Sequence, residues 1–185
     1  MILLRPDAVS SVDPETGEEF WSVPYEATNG SIIMSPIKAG EYLYAAGYSN
    51  KNLLLKLDAE QPAVEIEWRD LPRQAVSPVN VQPMLDDMVM YGFDQKGVFV
   101  AVELPSGKRL WETAEPLSER PAGSATAFIV RQADRYWLFT EKGDLIIATL
   151  SKEGFKELDR AHVIEPSNVA FGRDVVWSMP AFANR

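Results

Sequence analysis

The sequence contains no cysteine and only one histidine, His162. Without thiols there can be no disulfide, no thiolate metal site and no cysteine nucleophile, although an exported protein need not carry bridges, so the compartment stays open. Basic residues are also in deficit, 18 against 27 acidic ones, for a formal charge of −9 and a pI near 4.7. That balance disfavours non-specific attraction to a phosphate backbone and excludes nucleic acid as a partner class. No apolar run approaches the roughly 18 residues of a membrane-spanning helix, and the apolar stretch in the opening MILLRPD is too short for a secretory signal. If the parent protein is exported, its signal is expected outside this chain. Neither a glycine-rich phosphate loop nor a G-x-S-x-G nucleophile elbow is present, which removes support for nucleotide binding and for an α/β-type hydrolase. Helical periodicity is missing too. The nearest approach, residues 151–163, is weakened by Gly154.

What the chain does have is a repeat. The stretch DPETGEEFW (13–21) returns as ELPSGKRLW (103–111), with an acid, a glycine four residues on and a tryptophan four after that. LDAEQPAVEIEW (57–68) is a looser copy with two extra turn residues and no glycine, and TLSKEGFKEL (149–158) keeps Gly154 but has Leu158 where tryptophan is expected. Trp21, Trp68, Trp111 and Leu158 are spaced 47, 43 and 47 residues apart. A second landmark keeps step with the first, in MSPIKAGEYLYAAGY, VQPMLDDMVMYGF and ATAFIVRQADRYWLFT, and SMPAFANR at the C-terminus begins a fourth copy. Two landmarks in one rhythm mean that a whole unit is duplicated.

Within a unit the periods are those of strands. Tyr42, Tyr44 and Ala46 alternate with Leu43 and Ala45, and such β-branched and aromatic runs are bounded by Gly, Pro, Asp and Asn. Four short strands per repeat of roughly 45 residues is the unit of a β-propeller blade. The fold expected is therefore all-β, a propeller of about four blade equivalents in a single domain spanning 1–185. Full repeats are expected at about 31–70, 79–115 and 124–162. Residues 2–23 read as the last three strands of a blade, and 176–185 as a first strand able to complete it. The chain is then either a small four-bladed ring or half of a seven- or eight-bladed ring, completed by a second copy or by sequence outside it.

VDPETGEEFW and VELPSGKRLW resemble the tryptophan-docking repeat of the PQQ-like, quinoprotein-type β-propellers, whose usual form is Ala-x-Asp-x-x-Thr-Gly-x-x-x-Trp. At repeat level the resemblance covers nearly the whole chain. It implies that Trp21, Trp68 and Trp111 pack between blades, that Gly17 and Gly107 permit the turns, and that Leu158 is a degenerate dock. The quinoprotein dehydrogenases of that family hold PQQ with a vicinal disulfide and a calcium ion. This chain has no Cys and no matching carboxylate set, so no cofactor is expected. The repeat also occurs in non-enzymatic propellers, and the resemblance implies a bacterial protein acting outside the cytoplasm.

The remaining candidates read as structural. His162 lacks an identifiable nucleophile or a second histidine, and is expected at the surface or a blade edge. Asp86-Asp87 is expected to be a solvated turn rather than a calcium site, and YSNKN (48–52) a loop between strands. Asn29-Gly30-Ser31 fits a glycosylation sequon by chance. Tyr42, Tyr44, Tyr48, Tyr91, Phe93, Tyr136, Trp137 and Phe139 belong to strand patterns, so core packing is expected before a sugar-binding groove. Arg69, Arg73, Lys108-Arg109 and Arg131 to Arg135 read as a solvated rim. The function expected is a non-catalytic scaffold that binds protein or peptide. The alternatives are a fragment of a PQQ-dependent dehydrogenase whose cofactor site lies outside this chain, or a carbohydrate-binding propeller; a homodimer is a further expectation.

Overall fold

The short runs bounded by glycine and asparagine turns become strands almost throughout. In the computed structural model, which describes residues 1–183, the regular structure is β apart from one 3-10 turn at Thr28–Gly30. β1 (Ile2–Leu4), β2 (Ala8–Val12) and β3 (Glu19–Pro24) form a three-stranded sheet. Three four-stranded sheets follow in chain order. The second blade is β4 (Ile37–Ala39), β5 (Tyr42–Gly47), β6 (Lys51–Leu57) and β7 (Val64–Arg69). The third is β8 (Met84–Asp86), β9 (Val89–Phe93), β10 (Phe99–Glu103) and β11 (Lys108–Thr113). The fourth is β12 (Ala127–Gln132), β13 (Arg135–Thr140), β14 (Asp144–Leu150) and β15 (Phe155–His162). Each is an antiparallel meander, so neighbours in sequence are neighbours in the sheet. The architecture is that of a β-propeller of about four blades, three of them complete among the described residues.

Alternation sends the two faces of each sheet to different neighbours. Val9 and Val23 of the first blade meet Leu43, Ala45, Leu53 and Leu55 of the second. The opposite face of the second blade, with Tyr44, Ala46 and Leu54, meets Met90, Val98, Val100 and Val102 of the third. Tyr91, Phe93, Phe99 and Ala101 of the third in turn meet Ala127, Tyr136, Leu138 and Ile146 of the fourth. Among the described residues no such apolar layer joins the fourth blade to the first, so the array is an open arc rather than a closed small ring.

The face that each blade turns to its successor carries one cross-strand row. It runs Ile37, Tyr44, Leu54, Trp68 in the second blade and Met84, Tyr91, Ala101, Trp111 in the third. The first blade, lacking an innermost strand, has only Ile2, Ser11 and Trp21. In the fourth the row is Val130, Trp137, Ile147 and Asp159. A β-bulge precedes the last member each time, at the register shifts opposite Ser11/Val12, Leu54/Leu55, Ala101/Val102 and Ile147/Ala148. Because a bulge inserts one unpaired residue, the residues it extrudes are Phe20, Glu67, Leu110 and Leu158. Leu158 is therefore not the docking position. Asp159 holds that place, and Leu158 is 46% exposed.

The C-terminal segment departs further from expectation. Residues 176–183 form no strand, and β1–β3 gains no fourth member among the described residues; positions 184 and 185 lie outside them. The segment is held instead by the fourth blade. The Val176 amide donates to the Glu141 carbonyl at 2.6 Å, and Phe182 packs on Trp137 with ring centroids 5.7 Å apart. An additional hairpin, β16 (Asn168–Ala170) with β17 (Arg173–Val175), precedes it around a Phe171-Gly172 turn.

Candidate binding surface

Where a repeat opens on aspartate, that side chain builds the turn. Asp13 Oδ1 accepts from the amides of Glu15 and Thr16 at 2.7 and 3.0 Å, and Asp58 Oδ1 from those of Glu60 and Gln61 at 2.8 and 3.0 Å. These donors hold both carboxyls below the usual aspartate range, because they favour the charged form. Gly17 and Gly107 then take positive φ, 76° and 67°, which glycine adopts without penalty. The two differ in surroundings. A Cβ on Gly107 would lie 2.7 Å from Leu71 Cδ1 and 3.0 Å from Trp68 Cε2, whereas one on Gly17 would meet nothing within 4 Å.

Trp68 is what covers Gly107. Its indole Nε1 donates to the Pro105 carbonyl of the next blade at 3.1 Å while its ring meets Tyr44 edge-on. Trp111 repeats the arrangement one blade later, donating to the Ser151 carbonyl at 2.9 Å and packing against Tyr91 and Phe99. Trp21 lies against the apolar layer between the first and second blades. Trp68 and Trp111 reach forward onto the turn of the next blade and Trp21 packs in the layer between the first two, so these residues occupy joints rather than a ligand-facing mouth.

The loops between the second and third strands carry the least expected chemistry. Arg109 is not a solvated rim residue. Its Nη2 lies 2.8 Å from Asp94 Oδ2, its Nε donates to the Gln74 carbonyl at 3.0 Å, and the side chains are only 13% and 6% exposed. One blade on, Arg173 Nε meets Glu141 Oε1 at 2.6 Å, and Trp177 Nε1 donates to Glu141 Oε2 at 3.2 Å. Arg109 clips the connection arriving from the second blade onto the third, and Glu141 clips the connection leaving the fourth blade onto the fourth. YSNKN is likewise more than a loop, since Lys51 and Asn52 open β6 and the buried Asn52 amide bonds Leu71 and Ser77 of the following connection. Nor is Asp86 solvated, because it accepts from Arg131 and from the Tyr136 hydroxyl across the third joint. Burial, reinforced by Asp86, pushes the Tyr136 hydroxyl up to about 12.

None of these groups converges on a reacting centre. His162 Nδ1 is 2.9 Å from Asp144 Oδ1 and Nε2 is 3.2 Å from Glu165 Oε1, and the hydrogen bond to Asp144 raises its pKa. No group of three or more His, Cys, Asp or Glu suited to a metal occurs among the described residues. Clefts of about 640 and 580 Å³ flank the two buried pairs, the first lined by Arg120, Lys142, Glu141 and Arg173, the second by Arg73, Asp94 and Arg109. Their charges are of both signs and several are already paired, which suits polar contact with a partner chain.

The aromatics proposed for a groove are mostly interior. Tyr44, Tyr91, Phe93, Tyr136 and Phe139 are buried, and of the eight only Tyr48 is largely exposed. Exposed apolar area is found elsewhere, after the fourth blade, where Val163, Ile164, Val169 and Phe171 are all more than half exposed. The sequence reading missed this surface because its hairpin falls outside the repeat. The only available signal was the run VIEPSNVAF, apolar residues without an alternating polar face.

A family model described as "Outer membrane protein assembly factor BamB" matches residues 6–176. The chain belongs to this family. Among solved structures, BamB from Moraxella catarrhalis superposes with a TM-score of 0.63 at 17% identity, over 90% of this chain and 47% of its own. The computationally designed Ika8 protein follows with a TM-score of 0.57 at 11% identity, covering 89% and 49%. Quinohemoprotein alcohol dehydrogenase from Comamonas testosteroni gives 0.51 at 13% identity over 94% and 35%. At these identities the likeness is one of fold, and the chain spans about half the length of the first two. A comparison with curated proteins finds no match. No helix is long and apolar enough to cross a membrane among the described residues.

Proposed function

We propose that the chain is a non-catalytic propeller module of the BamB family that binds protein, acting outside the cytoplasm. The observation that carries this reading is the exposed apolar surface of Val163, Ile164, Val169 and Phe171 beside a mixed-charge cleft. Exposed apolar side chains beside polar groups are the surface chemistry of a protein contact. Val169 and Phe171 stand on the β16–β17 hairpin. Phe171 is anchored by Trp177 at 5.8 Å between ring centroids and by the Arg173 guanidinium 5.7 Å from its ring centre. The family's description as an outer membrane protein assembly factor supports a partner that is itself a protein.

A photo-crosslinking residue at Phe171 tests this in the native host. Protein adducts at 171, absent from a control at exposed Glu60, support the reading, and no adduct at 171 refutes it. Calorimetry with PQQ and calcium addresses catalysis independently, since saturable micromolar binding would move the chain to the dehydrogenase side of the fold.

A further inference from the structure

In an antiparallel meander the turn between the second and third strands and the connection to the next blade emerge at the same end of the sheet, and two consecutive blades repeat a cationic pattern there. Lys96 and Lys142 each stand immediately before the positive-φ glycine of that turn, Gly97 and Gly143. Arg73 lies on the connection into the third blade and Arg120 on the connection into the fourth. The arginines are 47 residues apart and the lysines 46, so both keep the blade period. Arg73 and Lys96 line the cleft of about 580 Å³, and Arg120 and Lys142 the cleft of about 640 Å³. Residues 120–122 are the wall between them, since Pro121 faces the first cleft while Arg120 and Ala122 face the second. Arg73 itself has a left-handed backbone, φ 62°, a conformation that is costly without glycine and that clusters at functional sites.

The more buried charges of these clefts are already satisfied. Arg109 is paired with Asp94 and Glu112 in the first, while in the second Arg173 is paired with Glu141 and Arg160 with Glu157 and Asp144. The side chains of Arg73, Lys96, Arg120 and Lys142 are exposed and, among the described residues, make no ion pair or hydrogen bond. The first cleft therefore offers two free cations and no free acid, and the second offers two free cations beside Glu115 and Glu119. In a chain of net charge −9 this is a local reversal of sign. One unpaired surface cation carries no information, but the same Lys-Arg pair recurring in adjoining clefts at the repeat spacing can be matched by a single extended chain. We propose that the two clefts together receive an extended acidic segment of a partner protein, its carboxylates meeting Arg73 and Lys96 in one cleft and Arg120 and Lys142 in the other. This assignment rests on the reading that the chain binds protein, and adds a charged contact to the apolar one at the hairpin. Arginine offers a planar fork that takes a carboxylate through two parallel hydrogen bonds, and lysine a rotatable point charge beside it. Glu115 and Glu119 oppose an acidic ligand, so the first cleft holds it more tightly than the second.

The test is fluorescence anisotropy of a labelled Glu-Ser repeat peptide of about twelve residues, roughly 40 Å when extended, titrated with the 185-residue chain. Saturable binding at low ionic strength that weakens as salt is added is expected. Lys96→Gln is expected to weaken it about fivefold and Lys142→Gln about threefold, as exposed charge pairs do, with the two losses multiplying in the double variant. Lys108→Gln with Lys152→Gln removes the same charge from the turns at the opposite end of the sheets and is expected to leave binding within about twofold. All four lysines are exposed, so the melting temperatures should not change. No saturable binding, equal binding of a Lys-Ser peptide, wild-type binding by the Lys96-Lys142 double variant, an equal loss in the control pair, or tighter binding of a single-stranded oligonucleotide of the same charge would overturn the proposal. The peptide carries no apolar residue and reads the clefts alone, whereas crosslinking at Phe171 reads the hairpin, so failure of one is told from failure of the other.

Discussion

Replacing Trp111 with alanine removes the largest side chain from the third joint while leaving the turn and strand that carry it. The indole packs against Tyr91 at 6.0 Å and Phe99 at 5.4 Å and donates to the Ser151 carbonyl at 2.9 Å. Truncation of a buried aromatic costs about 3 to 5 kcal/mol. Trp111 is partly rather than fully buried and its hydrogen bond is at the surface, so about 3 kcal/mol is expected. For a domain of this size that corresponds to roughly 6 to 12 °C in melting temperature. The internal control is Leu158→Ala, at the position where the repeat spacing places a dock but the bulge register places an exposed leucine. That substitution is expected to change stability by no more than about 0.5 kcal/mol. Thermal and urea melts of both variants decide the matter. A Trp111→Ala melt indistinguishable from wild type, or an equal loss from Leu158→Ala, would refute the docking role and the register on which it rests.

Gly107→Ala should destabilise by at least about 1 kcal/mol more than Gly17→Ala in the same melts: both incur the left-handed backbone cost, but only the methyl at 107 meets Leu71 and Trp68. Asp94→Ala is expected to cost about 2 kcal/mol, because it removes the buried partner of the Arg109 guanidinium and leaves only the exposed Glu112 carboxylate to pair it, and Asp94→Leu combined with Arg109→Met should recover most of that loss. His162 is the chain's only histidine, so one imidazole signal in a proton NMR titration reports its pKa directly. It is expected above the unperturbed 6.5, and to fall in Asp144→Asn. Since the folded value is raised, the stabilisation is full below pH 6.5 and is lost as pH rises through the folded pKa.

The blades were legible because strand alternation and turn chemistry are local. Gly40, Gly97, Gly107 and Gly143 all take positive φ at turns visible in the sequence, and the expected full repeats contain the three four-stranded sheets. The misplacement of the fourth dock has a specific physical origin. Counting from Gly154 to Leu158 assumes equal distances between turn and bulge, but β14–β15 carries an additional pair before its register shift. The dock consequently moves one residue, from Leu158 to Asp159, and to the other face. Sequence spacing cannot register this, because a one-residue slip leaves composition unchanged while exchanging the two faces of a strand. Burial of the single arginines was hidden for a related reason. Arg109 and Arg173 resemble any exposed arginine until the fold brings Asp94 and Glu141 to them from 15 and 32 residues away.

These two pairs also explain how successive blades keep a fixed angle without a continuous covalent brace. An apolar layer is non-directional and tolerates sliding, so the joints need contacts that are lost when one blade rotates on the next. Arg109 supplies three of them, to Asp94 and to the Gln74 and Ala75 carbonyls of the connection arriving from the second blade. Glu141 supplies the counterpart after the fourth blade, accepting from Arg173 and Trp177 of the departing connection. The departing connection is therefore clipped to the fourth blade as the arriving one is clipped to the third. That clip sets where residues 177–183 leave the sheet and keeps Phe182 over Trp137. Loss of Glu141 should thus loosen residues 177–183, and with them the Phe182 contact on Trp137, without disturbing the three joints inside the arc.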